Sequence, residues 1–392
     1  MACRPSVAPR VFVLYVASLA VFITPGTTIG FGGNMAAARA YDEGARALLA
    51  QDSDGAHPAF PRATEIDTGL AVAHYELGML LASRSHWRQA ETRFQAAVRP
   101  SFADAYSRLG EVRLKGLANA DAAVEALKAA IAIDAHHAVA QRMLGIAYRR
   151  LGKGPDAIVA LEAAIAIDPA DADARYELGS VLLDQQFFQA AAEQLQILVE
   201  LAPLHPKARL SLGSALMRLG QTKQGREMLE AHHRLQEQAE EINRIRRALR
   251  RDEGDIESWY RLGRVRMDRR EWAEAARALG RCIALAENEP RGYEALGYVY
   301  GQLGAYEQAH DVYAEIMRRR PGVAAYHNGL GVLLLRMRRI EEAIVQFREA
   351  IALDGHEPGY QLNLVAAYRQ GGDEKRAGEA YAAYQSMKAT RE

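Results

Sequence analysis

Residues 138–171 and 172–205 are two successive units of 34 residues, AVAQRMLGIAYRRLGKGPDAIVALEAAIAIDPAD and ADARYELGSVLLDQQFFQAAAEQLQILVELAPLH. In each, a Leu-Gly pair (Leu144-Gly145, Leu178-Gly179) is followed at matching distances by Ala157 or Ala191, by Leu161 or Leu195, and by Pro169 or Pro203. A chain that repeats itself at this period is confined to architectures in which one supersecondary unit is stacked many times.

Within a unit the apolar residues recur at helical spacing in two segments, Met143, Leu144, Ala147 and Tyr148 in the first and Ile158, Leu161, Ala164 and Ile165 in the second. Each unit is therefore expected to be a pair of amphipathic helices. Gly145 and Ala157 fall where the two backbones must approach closely, with Leu144 and Leu161 filling the space beside them. Proline has no amide hydrogen and disturbs the preceding turn, so Pro169 and Pro203 are expected to close the second helix. A single hairpin has little interior, and its apolar face is buried only by stacking on neighbours.

The same register runs along most of the chain. The glycine recurs at Gly78, Gly110, Gly145, Gly179, Gly213, Gly263, Gly297 and Gly331, with Val365 in its place in the last copy, and a leucine precedes every one of them. The small residue downstream is alanine in eight copies and Gly225 in the fifth, and its large neighbour runs from Phe94 to Tyr381. This pattern resembles the tetratricopeptide repeat, which spans 34 residues with Leu-Gly, Tyr, Ala, a large apolar residue and Pro at set positions. The resemblance implies an all-α fold, a right-handed α-solenoid of stacked helix-turn-helix units whose concave face binds peptides or partner proteins. Members that hold chaperone tails grip a terminal carboxylate with Lys before the glycine and Asn just after it. No repeat here has that combination: Arg142 is followed by Ile146, and Tyr260 by Arg264.

Departures from the period mark the expected boundaries. Gly44 lies one period before Gly78, so residues 34–70 read as a worn amino-terminal cap repeat, whose second helix Gly55, Pro58 and Pro61 are expected to break. Residues 71–239 read as a first array of five repeats. The second of these carries one extra residue, which is expected in the inter-helix turn near Leu117 to Ala120. From Gly213 to Gly263 the spacing exceeds one period by 16 residues. Proline-free sequence there implies a second helix prolonged to about Arg251, so residues 240–255 are an extension and turn. Residues 256–392 then form a second array of four, closed by a polar cap. In the extension Leu235, Ala239, Ile242, Ile245 and Leu249 form a narrow apolar seam, with Glu240 spaced to pair with Arg244. The seam either packs on adjacent repeats or mediates self-association through residues 235–249.

At the amino terminus Arg4 and Arg10 precede an uncharged apolar run, Val11 to Ile23, broken by Pro25 and Gly26. Residues 1–33 thus read as a cleaved signal peptide or an uncleaved membrane anchor. Both place the repeats outside the cytoplasm, in the periplasm or cell envelope, with the membrane touched only through this segment.

Lysine plus arginine and aspartate plus glutamate are equal, 49 each, so no bulk charge argues for nucleic acid. The two cysteines, Cys3 and Cys282, exclude a disulfide framework and a cysteine zinc site. His136-His137 and His232-His233 are adjacent pairs, which on a helix point about 100° apart and cannot share a metal. Gly152-Lys153-Gly154 falls in an inter-helix turn rather than a phosphate loop. Basic clusters at 244–251, 318–320 and 336–339 read as solvated helix faces. With no catalytic motif, no enzyme and no cofactor or metal are expected.

If the family geometry holds, the first helix of each pair lines the concave face through residues three before, one after and four after the glycine. These positions share one helix face. In the first array they include Tyr75 and Met79, then Arg142, Ile146 and Arg149, then Tyr176, Ser180 and Leu183, then Leu210 and Met217. In the second they include Tyr260, Arg264 and Met267, then Tyr298 and Asn328. Such a wall, with Tyr, Met and Leu between charges, suits a peptide or partner helix. The expected function is a non-enzymatic scaffold holding a protein or peptide ligand, within an envelope complex. The alternative is an accessory subunit that presents a polysaccharide or peptide to a separate envelope enzyme.

Overall fold

The computed structural model describes residues 34–50, 52–287 and 289–389. The apolar amino-terminal segment, and the export reading built on it, lie outside these residues. The described residues hold twenty α-helices, one π turn and no strand. They pair in chain order: α1 (Met35–Leu49) with α2 (Ser53–Ile66), α3 (Ala71–Ser83) with α4 (Trp87–Ala97), and α5 (Ala103–Glu111) with α6 (Ala120–Ile133). Next come α7 (Ala138–Arg150) with α8 (Gly154–Ile167), α9 (Ala172–Asp184) with α10 (Phe188–Leu201), and α11 (Ala208–Arg218) with α12 (Thr222–Leu249). The remaining pairs are α13 (Ile256–Asp268) with α14 (Trp272–Leu285), α15 (Pro290–Leu303) with α16 (Tyr306–Arg319), α17 (Ala324–Arg336) with α18 (Ile340–Leu353), and α19 (Pro358–Gln370) with α20 (Glu374–Ala389).

One contact is repeated from pair to pair. A Cβ built on Gly44, Gly78, Gly110, Gly145, Gly179, Gly213, Gly263, Gly297 or Gly331 would come within 2.9 Å of one large side chain on the following helix. Those side chains are Phe60, Phe94, Leu127, Leu161, Leu195, Leu229, Leu279, Tyr313 and Phe347 in turn. The large residue is thus inserted where the glycine leaves room. Burying each such side chain contributes about 1.5–3 kcal/mol. Ala90, Ala123, Ala157, Ala191, Ala275, Ala309 and Ala343 are all fully buried beside them.

The turn between the two helices of a pair also recurs. A residue with positive φ ends the first helix at Ser85, Ala118, Gly152, Gln186, Gly220, Arg270, Gly304, Arg338 and Gly372. After Gly152 the Lys153 amide donates to Tyr148 O at 2.9 Å, the bond that closes a helix through a left-handed residue. Pro169 and Pro203 follow the second-helix ends at Ile167 and Leu201, where proline stops the ladder.

The contacts divide the described residues into two compact units, separated between Glu230 and Ala231. The division falls inside α12, the 28-residue second helix, which is continuous from Thr222–Leu249. In the second unit the late turns of α12 bury Ile242, Ile245 and Leu249 against Leu262 of α13 and Ala278 of α14. The apolar seam is therefore occupied by this chain's own next hairpin. Self-association through 235–249 is corrected on that ground, since only Leu235, half-buried, and Ala239, exposed, remain outside the cluster.

Three local expectations are also corrected. Pro58 and Pro61 do not break α2, which continues through both. Two ladder bonds are lost, but Ala56, Phe60 and Ala63 are fully buried and hold the helix against its neighbours. The extra residue of the α5–α6 pair is absorbed in a π turn, Val112–Gly116, where Leu117 N donates to Val112 O at 3.1 Å, rather than in the loop. Arg244 pairs with Glu241 at 3.0 Å instead of Glu240, because Glu241 faces both Arg244 and Arg261 while Glu240 is exposed.

Candidate partner-binding groove

The first helices α3 to α17 carry the fifteen candidate residues, and packing sorts them into three kinds. Some are interior. Tyr75 is only 8% exposed, its ring set edge-on to Phe94 at 5.8 Å and tilted on Phe102 at 5.1 Å. Burial pushes its hydroxyl up to about 12. Ser180 is buried too, its hydroxyl donating to Tyr176 O at 2.8 Å. Both are removed from the ligand-facing set, because a large ring and a self-satisfied hydroxyl have been drawn into the repeat interior. Met79, Ile146, Leu183 and Met267 are half-buried against the apolar clusters of their own units.

A second kind links neighbouring repeats. Arg142 reaches from α7 to Asp171 at 2.9 Å and Asp173 at 3.5 Å. Arg149, two turns on, binds Asp184 at 2.9 Å and Glu177 at 3.1 Å. Together they tie α7 to α9 along one face, so their charges are already met within the chain. Tyr176 lies on His205 with ring centroids 4.8 Å apart. Tyr260 is covered by the Arg291 guanidinium at 4.7 Å, and Arg291 in turn pairs with Glu257 and Glu289. Arg264 is exposed and donates to the Tyr260 hydroxyl at 3.3 Å.

The third kind faces outward. In the first unit Leu210 and Met217 on α11 are 41% and 39% exposed. In the second, Tyr298 on α15 is 47% exposed, with Trp272 edge-on at 6.2 Å. Asn328 on α17 accepts from Asn363 at 2.8 Å.

Two of the candidates meet. Tyr298 and Asn328 line a cavity of about 260 Å³ between α15 and α17, with Gly297, Gly301, Gly329, Val332, Leu333 and Arg336 around it and Tyr313 beneath. Gly301 and Gly329 bring no side chain to the opening, and the Tyr313 ring packs so closely on Gly329 that a Cβ there would lie 2.7 Å from it. Burial pushes the Tyr313 hydroxyl up to about 12, and nearby Glu294, half-buried, is held above the usual carboxylate range by desolvation. The Arg336 guanidinium donates to Gly301 O at 3.0 Å. With the Gln302 amide oriented by its neighbours, its oxygen accepts from Arg336 at 2.9 Å and from the Tyr298 hydroxyl at 3.1 Å. Arg336 and Gly329 were not among the sequence candidates. The available signal was a second glycine two residues before the register glycine Gly331.

The site therefore offers an apolar recess, an amide and a guanidinium, which suit a side chain and its flanking peptide groups. Among the described residues no three His, Cys, Asp or Glu side chains converge as metal ligands, and no helix is long and apolar enough to cross a membrane.

Two family models match the chain. One, described as TPR repeat, covers residues 145–186; the other, described as Tetratricopeptide repeat, covers 176–240 and 294–358. No curated protein matches. Among solved structures the chain is similar to one titled as the crystal structure of MamA, with 25% identity, 40% of this chain and 93% of that one covered, and a TM-score of 0.38. It is similar also to MamA residues 41 to the end from Desulfovibrio magneticus RS-1, with 24% identity, 43% and 95% covered, and a TM-score of 0.40. A third is YrrB, described as a TPR protein with an unusual peptide-binding site, with 22% identity, 44% and 95% covered, and a TM-score of 0.38.

Proposed function

Because this chain is a tetratricopeptide repeat protein, we propose that it is a non-enzymatic scaffold that holds a protein or peptide ligand on the first-helix face of its repeats. The observation that carries the ligand contact is the recess beside Tyr298, where an exposed ring, the Asn328 amide and the Arg336 guanidinium converge on a space of side-chain size. Arg142 and Arg149 serve the scaffold rather than the ligand, since each is bound to two carboxylates on or just ahead of α9.

A photo-reactive amino acid placed at Tyr298 tests this. Partner proteins should be captured from that position and not from Val159, a more exposed site on a second helix. Equal capture at both positions would remove the assignment of the face.

We further place the repeats outside the cytoplasm, in the periplasm or cell envelope. The support is Arg4 and Arg10 ahead of the uncharged run Val11 to Ile23. A reporter active only after export, fused behind residue 392, should be active, and should lose activity when two aspartates are introduced into that run. The second reading, presentation of a polysaccharide to a separate enzyme, draws on the same exposed Tyr298 ring, and saturable glycan binding lost in Tyr298→Ala would favour it.

A further inference from the structure

The arginines of residues 244–251 look in sequence like one solvated helix face, but folding brings two of them to arginines from elsewhere. Arg246 of α12, Arg250 in the turn just after it, Arg266 of α13, and Arg277 and Arg281 of α14 line one open cavity of about 490 Å³. The only acidic residues lining it are Glu253 and Glu274. Arg277 pairs with Glu274 at 3.0 Å, and Arg266 pairs with Glu271 outside the lining. The ion pairs of this region among the described residues join Arg244 and Arg261 to Glu241, Arg266 and Arg269 to Glu271, and Arg277 to Glu274, and none includes Arg246, Arg250 or Arg281. Over the whole chain acidic and basic residues balance, so this local excess is made by the arrangement of helices, not by composition. Like charges gathered in this way make a local positive potential that attracts an anionic group.

The cavity is layered. Leu249, Leu262 and Ala278 at its floor are buried, while Arg246, Arg250, Arg277 and Arg281 around it are exposed. Trp259 forms one wall, its indole N–H donating to Glu253 O at 2.9 Å and its ring lying under Arg281 at 6.0 Å. None of these residues belongs to the candidate groove. On α13 the groove positions Tyr260 and Met267 each follow a lining residue, Trp259 and Arg266, by one place, which turns them about 100° away.

We propose that this cavity binds an acidic peptide segment of a partner protein, with one Leu or Phe side chain on the floor and flanking Asp or Glu carboxylates on Arg246, Arg250 and Arg281. The guanidinium fork matches a carboxylate with two parallel hydrogen bonds, and the floor gains from an apolar group. The layering selects this ligand. An anionic lipid approaches headgroup first with its chains behind, which puts charge toward the apolar floor and leaves the chains outside.

The test uses the full chain and fluorescence anisotropy with a labelled peptide of Asp and Glu around a central Leu-Phe. The control peptide has Ser-Ser at the centre and the same charge. The Leu-Phe peptide should bind at least about tenfold more tightly, and added salt should weaken it. The pair Arg250→Glu with Arg281→Glu should abolish binding, whereas Lys223→Glu with Arg226→Glu, the same charge change in the first unit, should not. If the reversed pair fails to fold, Arg250→Gln with Arg281→Gln gives the same reading at constant shape. Equal affinity for the two peptides would overturn the proposal, as would displacement by millimolar inorganic phosphate. So would retention on phosphatidylglycerol vesicles that the Leu-Phe peptide does not reverse.

Discussion

Leu195 stands against Gly179 so closely that a Cβ on the glycine would lie 2.7 Å from the leucine Cγ. The substitution Gly179→Val therefore forces the α9–α10 pair apart and should destabilise by about 1–3 kcal/mol. Leu178→Ala empties a site only 2% exposed and should cost about 2–5 kcal/mol. Urea unfolding followed by circular dichroism measures both, and melting close to the parent in either variant contradicts the contact.

Gln186 occupies the left-handed turn that glycine fills at Gly152, with φ of 62° against 72°. A side chain there costs about 1–2 kcal/mol that glycine avoids. Gln186→Gly should accordingly raise stability by about 1 kcal/mol, after allowing for the greater freedom of glycine in the unfolded chain. The same urea experiment checks the sign, and a clear loss of stability would mean that the Gln186 side chain makes a contact that outweighs the strain.

Glu76 on α3 is 3% exposed, and its Oε2 has no hydrogen-bond partner. Burial pushes its carboxyl up to about 8, with only partial relief from the Arg108 charge. The folded chain thus holds a proton that the unfolded chain releases near 4.5. Its stabilisation is complete below that lower value and disappears as pH rises through about 8. The first unit should lose on the order of a few kcal/mol between about pH 5 and about pH 8.5, and Glu76→Gln should flatten that slope. Thermal melts across the range compare the two proteins.

Ile242 lies in the cluster with Leu262, not on a free surface. Ile242→Ala should destabilise the second unit by about 2–5 kcal/mol and leave the mass in solution unchanged. Sedimentation together with unfolding separates the effects; a drop in mass without loss of stability would restore the seam as an association surface.

The architecture was legible because its determinants are local and periodic. Gly145 and Leu161 are sixteen residues apart, and a pattern in one dimension suffices to find them. The candidate wall was less legible, for a physical reason. A residue three before the glycine can face a ligand, the repeat interior or the next repeat, and the neighbouring side chains decide which. Tyr75 turned inward because Phe94 and Phe102 supply aromatic faces, and Arg142 was claimed by Asp171. The cavity beside Tyr298 is lined by Gly329, which makes room for the Tyr313 ring, and where that ring comes to rest is not written in the spacing. The arginine cavity joins residues from three helices, and no spacing along the chain announces it.

The glycine contact has a further meaning for how the chain reaches its fold. Each tight junction closes a loop of about one hairpin, so ordering can start at any pair and spread to either side without waiting for distant segments to meet. A lesion at Gly179 should then loosen the α9–α10 pair first and reach the neighbouring pairs of the first unit only afterwards.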